Sequence, residues 1–200
     1  NTPRPRRGPR AGGVERTPIL KVANELVSEQ GYQATTMRKI GTAAGVDAKL
    51  IHYYFGTKED LFTAAISEVF RSRGLPDILS EYRPEATDSP GTHYIRAVLT
   101  TLETPTIGPA FTGLLRSLGT HEESQKVFLR FVNEELLERL APQLPVENAT
   151  TRLALAGTQI FGLIYTRYIL KIPPLTELSI EQTARLIGPT LDTYMRGPLE

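Results

Sequence analysis

Residues 35–62 read TTMRKIGTAAGVDAKLIHYYFGTKEDLF, and the fold turns on how this stretch divides into helices. Thr36 is placed to cap a helix whose buried face is Met37, Ile40, Ala43 and Ala44. Small Ala43 and Ala44 would let a second helix cross closely. Gly45 permits a sharp turn, Asp47 is a strong N-cap, and Val46 before it is placed to staple onto Ile51. Two short helices joined by a Gly-containing turn form a helix-turn-helix pattern.

The second helix, expected over Ala48 to Phe55, has two unlike faces. Ile51, Tyr54 and Phe55 fall on one side, with Leu50 at the border. Ala48, Lys49, His52 and Tyr53 fall together on the other, at spacing i, i+1, i+4, i+5. A cation, an imidazole, a phenol and one tiny residue suit base edges and phosphates of a DNA major groove. An ordinary helical hairpin whose aromatics fill the domain would account for Ile51 and Phe55, but not for the outward Lys-His-Tyr face. Thr57 then caps the next helix with Asp60 as the reciprocal acid. Lys58 and free amides at that helix start make a phosphate clamp.

Working outward, Ile19, Leu20, Ala23, Leu26 and Val27 recur at helical spacing from Thr17, and Gly31 supplies the stop. Before them, NTPRPRRGPRAGG is rich in Pro, Gly and Arg and lacks a large apolar residue, so residues 1–16 are expected to be a disordered basic arm. Beside a DNA-binding unit such an arm is a candidate for the minor groove. The net charge of +1 hides an asymmetry: residues 1–60 hold ten Lys/Arg against six Asp/Glu, and residues 61–200 hold thirteen against sixteen. A basic front and a mildly acidic rear suggest that only the front meets a polyanion.

The quoted stretch resembles the signature of the tetracycline-repressor (TetR) family. Thr36, Gly45, Val46, Tyr54, Phe55, Lys58, Glu59 and Leu61 stand at the family's spacing, and the resemblance covers Ile19 to Phe62. It implies a bacterial, all-α homodimer with a DNA-binding front, a divergent ligand-sensing rear, and about nine helices. It also implies that Thr36, Met37, Arg38, Lys49, Leu50, His52, Tyr53, Tyr54 and Lys58 occupy positions that touch DNA. Thr36, Tyr54 and Lys58 match positions serving the backbone; Lys49, Leu50, His52 and Tyr53 match positions nearer the bases. Two residues depart from the family pattern: His52 stands where Tyr or Phe is usual, and Asp47 where Ser is common.

The remainder of the chain shows no strand-like alternation bounded by turns, so the fold is expected to be all-α. The expected division is a basic arm at 1–16, a helix-turn-helix domain at 17–60, and a ligand-binding and dimerisation domain at 61–200. A fourth helix should run through Ala64, Ala65, Ile66, Val69 and Phe70 to near Gly74. The proline-rich segment at 74–91 reads as a loop. Further helices are marked by Ile95 to Leu102, by Phe111 to Leu118, and by a stripe from Val127 to Leu140 ending before Pro142. A long helix from Ala149 to Leu170 is closed by Pro173-Pro174. Ser179 and Gln182 form a capping box for the last helix, which Pro189 is expected to kink.

The family implies that the last two helices pair with their copies, and the long helix does carry more apolar faces than one core needs. Two recognition helices would then lie about 34–36 Å apart and bind a palindromic operator. Phe111, Phe128 and Phe131 are candidates to line an apolar effector pocket, with Tyr94, Gln159 or Arg167 supplying polar contacts. Gln159 is the oddity, a polar residue in LALAGTQIFGLIY, with the dimer face as its other destination.

Composition excludes several classes. There are no cysteines, hence no disulfide, thiolate metal site or thiol nucleophile. No apolar run reaches the roughly 20 residues of a membrane span and no secretory pattern opens the chain, so the expected location is cytoplasmic. His93 and His121 lack metal-ligand or nucleophile-elbow spacing, and Ser117, His121 and Glu122 are neighbours without a catalytic motif. No enzyme activity, cofactor or metal is expected. The function read from these residues is a sequence-specific transcriptional repressor released from its operator by a small molecule. An effector-independent regulator or activator, and a nonspecific DNA-architectural protein, are the alternatives.

Overall fold

The computed structural model describes residues 16–80 and 88–199. The described residues form eleven α-helices and no strand, two of the helices being short additions to those expected. Apart from Arg16, the basic arm lies outside the described residues.

Helices α1 (Arg16–Gln30), α2 (Met37–Ala44) and α3 (Ala48–Phe55) make the front unit. The starts of α2 and α3 are each fixed by a side chain. The Lys39 amide donates to Thr36 Oγ1 at 3.2 Å, and the Lys49 amide donates to the Asp47 carboxylate at 2.8 Å. Gly45, at φ 68°, closes α2 and turns the chain so that the Val46 amide reaches the Gly41 carbonyl at 2.9 Å. This corrects the expected crossing point. Ala43 is exposed, and the close approach is at Gly41, where a Cβ would stand 2.8 Å from the Val46 carbonyl oxygen. The turn folds back over Gly41, so the missing side chain matters there and not two residues later.

Helix α4 (Lys58–Ser72) opens with the expected capping box between Thr57 and Asp60 and then crosses two cores. Leu61, Phe62 and Ala65 pack with Ile19, Ile40, Ile51 and Phe55 of the front unit, together with Ala110, Leu114 and Val127 from the rear helices. Phe70 packs into the rear core with Ile95, Leu99, Leu153 and Leu191. One helix therefore joins the front unit to the core behind it.

The rear holds α5 (Leu75–Ser80), α6 (Pro90–Leu102), α7 (Ile107–Ser117), α8 (Glu122–Phe131), α9 (Ala149–Ile164), α10 (Pro173–Thr176) and α11 (Ile180–Arg196). Helix α5 occupies part of the segment expected to be a loop. Its Pro76 sits in the first turn, where no amide bond is lost, and Leu75 and Leu79 are buried one turn apart. Beyond Phe131, α8 widens into π-helical turns over Val132–Leu140, then tightens into a 3-10 turn, Ala141–Gln143, that includes Pro142. Helix α9 also widens, over Tyr165–Ile169. Helix α11 has the expected Ser179–Gln182 capping box and carries Pro189 within it. It crosses α6 at Gly188, where a Cβ would lie 2.4 Å from the Thr92 Cα, and Arg96 of α6 grips Glu181 through two bonds at 2.8 and 3.1 Å.

Candidate nucleic-acid interface and effector cavity

The outward face of α3 takes shape from its ends. With Asp47 committed to the N-cap, its carboxylate is turned to the helix amides. Ile51 and Phe55 are buried beneath, while Lys49 and His52 are exposed and Tyr53 stands 82% exposed. Leu50 and Tyr54 are half-buried, and the Tyr54 ring meets Tyr53 edge-on at 5.5 Å between centroids. The His52 Nδ1 lies 2.9 Å from the Gly56 carbonyl. A carbonyl only accepts, so Nδ1 carries the proton and Nε2 is left for an outside partner. Thr36 and Arg38 are exposed beside this face at the start of α2.

Two of the residues expected at DNA are placed differently. Met37 is buried in the front core and offers no side chain to a groove. It is the first residue after the cap, and α2 turns that position inward along with Ile40. Lys58 does not project as a clamp: its Nζ lies 4.1 Å above the Tyr32 ring, a cation–π contact. Burial there lowers the Lys58 pKa, with Glu123 and Glu59 opposing the shift. Arg16 was not foreseen. Its guanidinium donates to the Tyr54 carbonyl at 2.5 Å and sits over the Phe55 ring, bracing the end of α3 from 38 residues away. Only the fold brings those two positions together.

Behind the front unit lies a cavity of about 460 Å³. Its walls come from α4 (Ile66, Val69, Phe70), α6 (Tyr94, Val98, Thr101), α7 (Ile107, Phe111, Leu115), α8 and its wide turns (Phe128, Phe131, Val132, Leu136) and α9 (Ala154, Gly157, Thr158, Phe161). Ala154, Thr158 and Phe161 are exposed members of the lining and mark the mouth. Tyr94, Phe111, Phe128 and Phe131 thus stand around one space. Gln159 does not join them. Its neighbours Thr158 and Ile160 both line the space, but Gln159 itself does not, and its amide reaches the Thr158 hydroxyl at 3.5 Å. Arg167 is also elsewhere: it donates to the Leu175 and Leu178 carbonyls and faces Glu103 at 3.6 Å, so it fastens the α9–α10 corner.

Helix α8 ties the cavity to the DNA face. In its last turn, Arg130 pairs with Asp60, the acid of the α4 capping box. One turn beyond Phe131, buried Glu135 receives Arg139 at 3.0 Å and faces Arg71 of α4 at 3.7 Å. At its start, Glu123 accepts from Gln33 of the α1–α2 turn at 3.3 Å. The cavity wall therefore holds α4 near both of its ends.

No constellation resembling a catalytic relay involves Ser117 and His121. The Ser117 hydroxyl donates to the Leu114 carbonyl at 2.7 Å, and His121 meets its neighbour Thr120. Among the described residues no cluster of His, Asp and Glu is set to hold a metal, and no helix is long and apolar enough to cross a membrane.

Residues 19–65 match the profile described as bacterial regulatory proteins, tetR family, and residues 88–195 match the tetracyclin repressor-like C-terminal domain. A relative from Rhizobium meliloti, the HTH-type transcriptional regulator BetI, is 26% identical over 191 residues, spanning 92% of this chain and 91% of its own. The crystal structure of a TetR-family regulator from Streptomyces coelicolor is 27% identical with a TM-score of 0.61, covering 94% and 99% of the two chains. The multidrug binding protein EbrR, crystallised with imidazole, shares the fold at 15% identity and a TM-score of 0.63 over the whole of both chains.

Proposed function

This chain belongs to the tetracycline-repressor family of transcriptional regulators, and from that premise we propose a repressor whose grip on a palindromic operator is released by a small molecule in the rear cavity. The observation that carries the reading is helix α4. It begins at a capping box directly after α3, and a few turns later supplies Ile66, Val69 and Phe70 to the cavity wall. A ligand that changes the spacing of that wall moves the rod on which the DNA face sits.

At the DNA, Lys49, His52 and Tyr53 take the base edges and adjoining phosphates, with Leu50 against an apolar patch of the groove. Thr36, Arg38 and Tyr54 serve the backbone. With Nδ1 turned to the Gly56 carbonyl, His52 presents Nε2 to a base edge. Lys58 reaches a phosphate by leaving the Tyr32 ring. Helices α9 and α11 form the homodimer face, which explains why Leu186 of α11 stands 64% exposed. The dimer spaces two copies of α3 about one DNA turn apart. Such a regulator works in the cytoplasm, without enzymatic chemistry. The effector acts only through its difference in affinity for the two forms, about 1–3 kcal/mol in typical cases.

Selection of genomic fragments by the purified full chain at about 0.15 M salt tests this reading. Enrichment of a palindrome whose half-sites are centred one turn apart is the expected result. Retention of fragments irrespective of sequence would instead mark a nonspecific DNA-coating protein.

A further inference from the structure

Among the described residues, the cavity wall contains no Asp, Glu, Lys, Arg or His side chain. A buried charge without a partner is strongly disfavoured, so a carboxylate or ammonium entering this space would lose its hydration and find nothing to replace it. Aromatic rings attract cations, but that attraction is small beside the lost hydration of an unpaired ammonium. The wall's hydroxyls are also unequal. Thr101 donates to the Ala97 carbonyl at 2.8 Å and Thr158 to the Leu155 carbonyl at 2.7 Å, so both protons are committed to their own helices. Tyr94 differs. It is 4% exposed, lines the cavity, and makes no hydrogen bond among the described residues. Among the described residues, its O–H is the one hydroxyl donor of the wall left for a guest. Burial raises its pKa, so it stays a phenol and a donor at any physiological pH.

We propose that the effector is an uncharged, ring-rich molecule bearing a single hydrogen-bond acceptor, such as a ketone, ester or ether oxygen, and that Tyr94 is the residue that selects it. This rests on the reading of the cavity as the effector site and adds the chemistry of the guest. The rings of Phe70, Phe111, Phe128 and Phe131 surround the body of the molecule. The Tyr94 hydroxyl fixes its orientation, because elsewhere the wall offers only carbon or acceptor lone pairs.

Four fluorene probes of matched shape test it by calorimetry on the full chain without DNA: 2-acetylfluorene, 2-ethylfluorene, fluorene-2-carboxylate and fluoren-2-ylmethylammonium. The ketone should bind about tenfold more tightly than the ethyl compound, as one hydrogen bond is worth. Both charged probes should bind at least about a hundredfold more weakly than the ketone. In Tyr94→Phe the ketone's advantage over the ethyl compound should vanish while the ethyl compound binds as before. That variant removes a hydroxyl with no protein partner, so its melting temperature should not fall. Charged probes that equal the ketone, a ketone preference that survives Tyr94→Phe, or binding of none of the four overturns the proposal. Operator release is measured separately: ketone binding that obeys Tyr94 but leaves the operator complex intact would sink the effector-release reading and keep the ligand class.

Discussion

The DNA face and the cavity are both built with aromatic rings, and the two use them in opposite ways. On α3, Tyr53 stands 82% exposed, lifted into solvent by a helix of eight residues whose start is fixed by Asp47. In the cavity, Phe131 is 7% exposed and meets Phe70 edge-on at 5.6 Å, a contact joining positions 61 residues apart in the chain. The first arrangement depends on neighbours in sequence. The second depends on six helices, α4 to α9, arriving together. A surface made by caps tolerates exchange of its outward residues, whereas a cavity made by converging helices depends on the packing of each wall.

The largest effect expected from this contrast comes from beneath the DNA face. Ile51 is fully buried under α3, and Ile51→Ala should cost about 2–5 kcal/mol in urea unfolding, with operator binding falling alongside. A loss below about 1 kcal/mol would mean that α3 is held chiefly by its ends. A smaller and more selective effect belongs on the outer side. Lys49→Ala should weaken operator binding by about 1–3 kcal/mol, relax the preference at one base pair, and leave fluorene binding unchanged. Lys58→Ala should weaken cognate and random DNA alike and reduce the salt slope by about one. Equal losses on cognate and random DNA for Lys49→Ala would erase the division between base-facing and phosphate-facing lysines.

The same contrast decides what was legible in the sequence. Thr36, Asp47, Thr57 and Ser179 announce their helices because a cap acts within three residues, and all four side chains accept the amide expected of a cap. The two faces of α3 were legible for the same reason, since eight residues of helix fix their own azimuths. Met37 shows where this stops: its position after a cap places it beside the DNA-facing residues, yet core packing turns its side chain inward. Gln159 and Arg167 fail for a longer-range reason. Both are polar residues among apolar ones, but the cavity boundary on α9 is drawn by α4, α6, α7 and α8, and no local pattern shows where that boundary passes. The proline-rich segment misled because Pro76 in a first turn is compatible with helix, and buried Leu75 and Leu79 draw the chain into one.

The smallest expected effect sits away from both regions, at the foot of α11, and tests whether the rear frame is independent of them. Arg96 holds the Glu181 carboxyl below its ordinary value of 4.5, first through their hydrogen bonds, with Arg185 adding a lesser pull. A carboxyl depressed in the folded chain contributes stability that is present above the unfolded value and is lost as pH falls through the lower folded one. Wild type should therefore melt slightly above Glu181→Gln at about pH 7, and the gap should close as pH falls through the depressed folded value, where the carboxyl takes up its proton. The Glu181 side chain is 43% exposed, so screening keeps the gap small and added salt should narrow it further. Operator affinity and fluorene binding should stay at wild-type values throughout, because neither α3 nor the cavity wall includes the pair. A gap that persists unchanged into acid would assign the effect to helix capping or packing at Ile180 instead of charge, and a change in ligand binding would show that the α6–α11 crossing reaches the cavity after all.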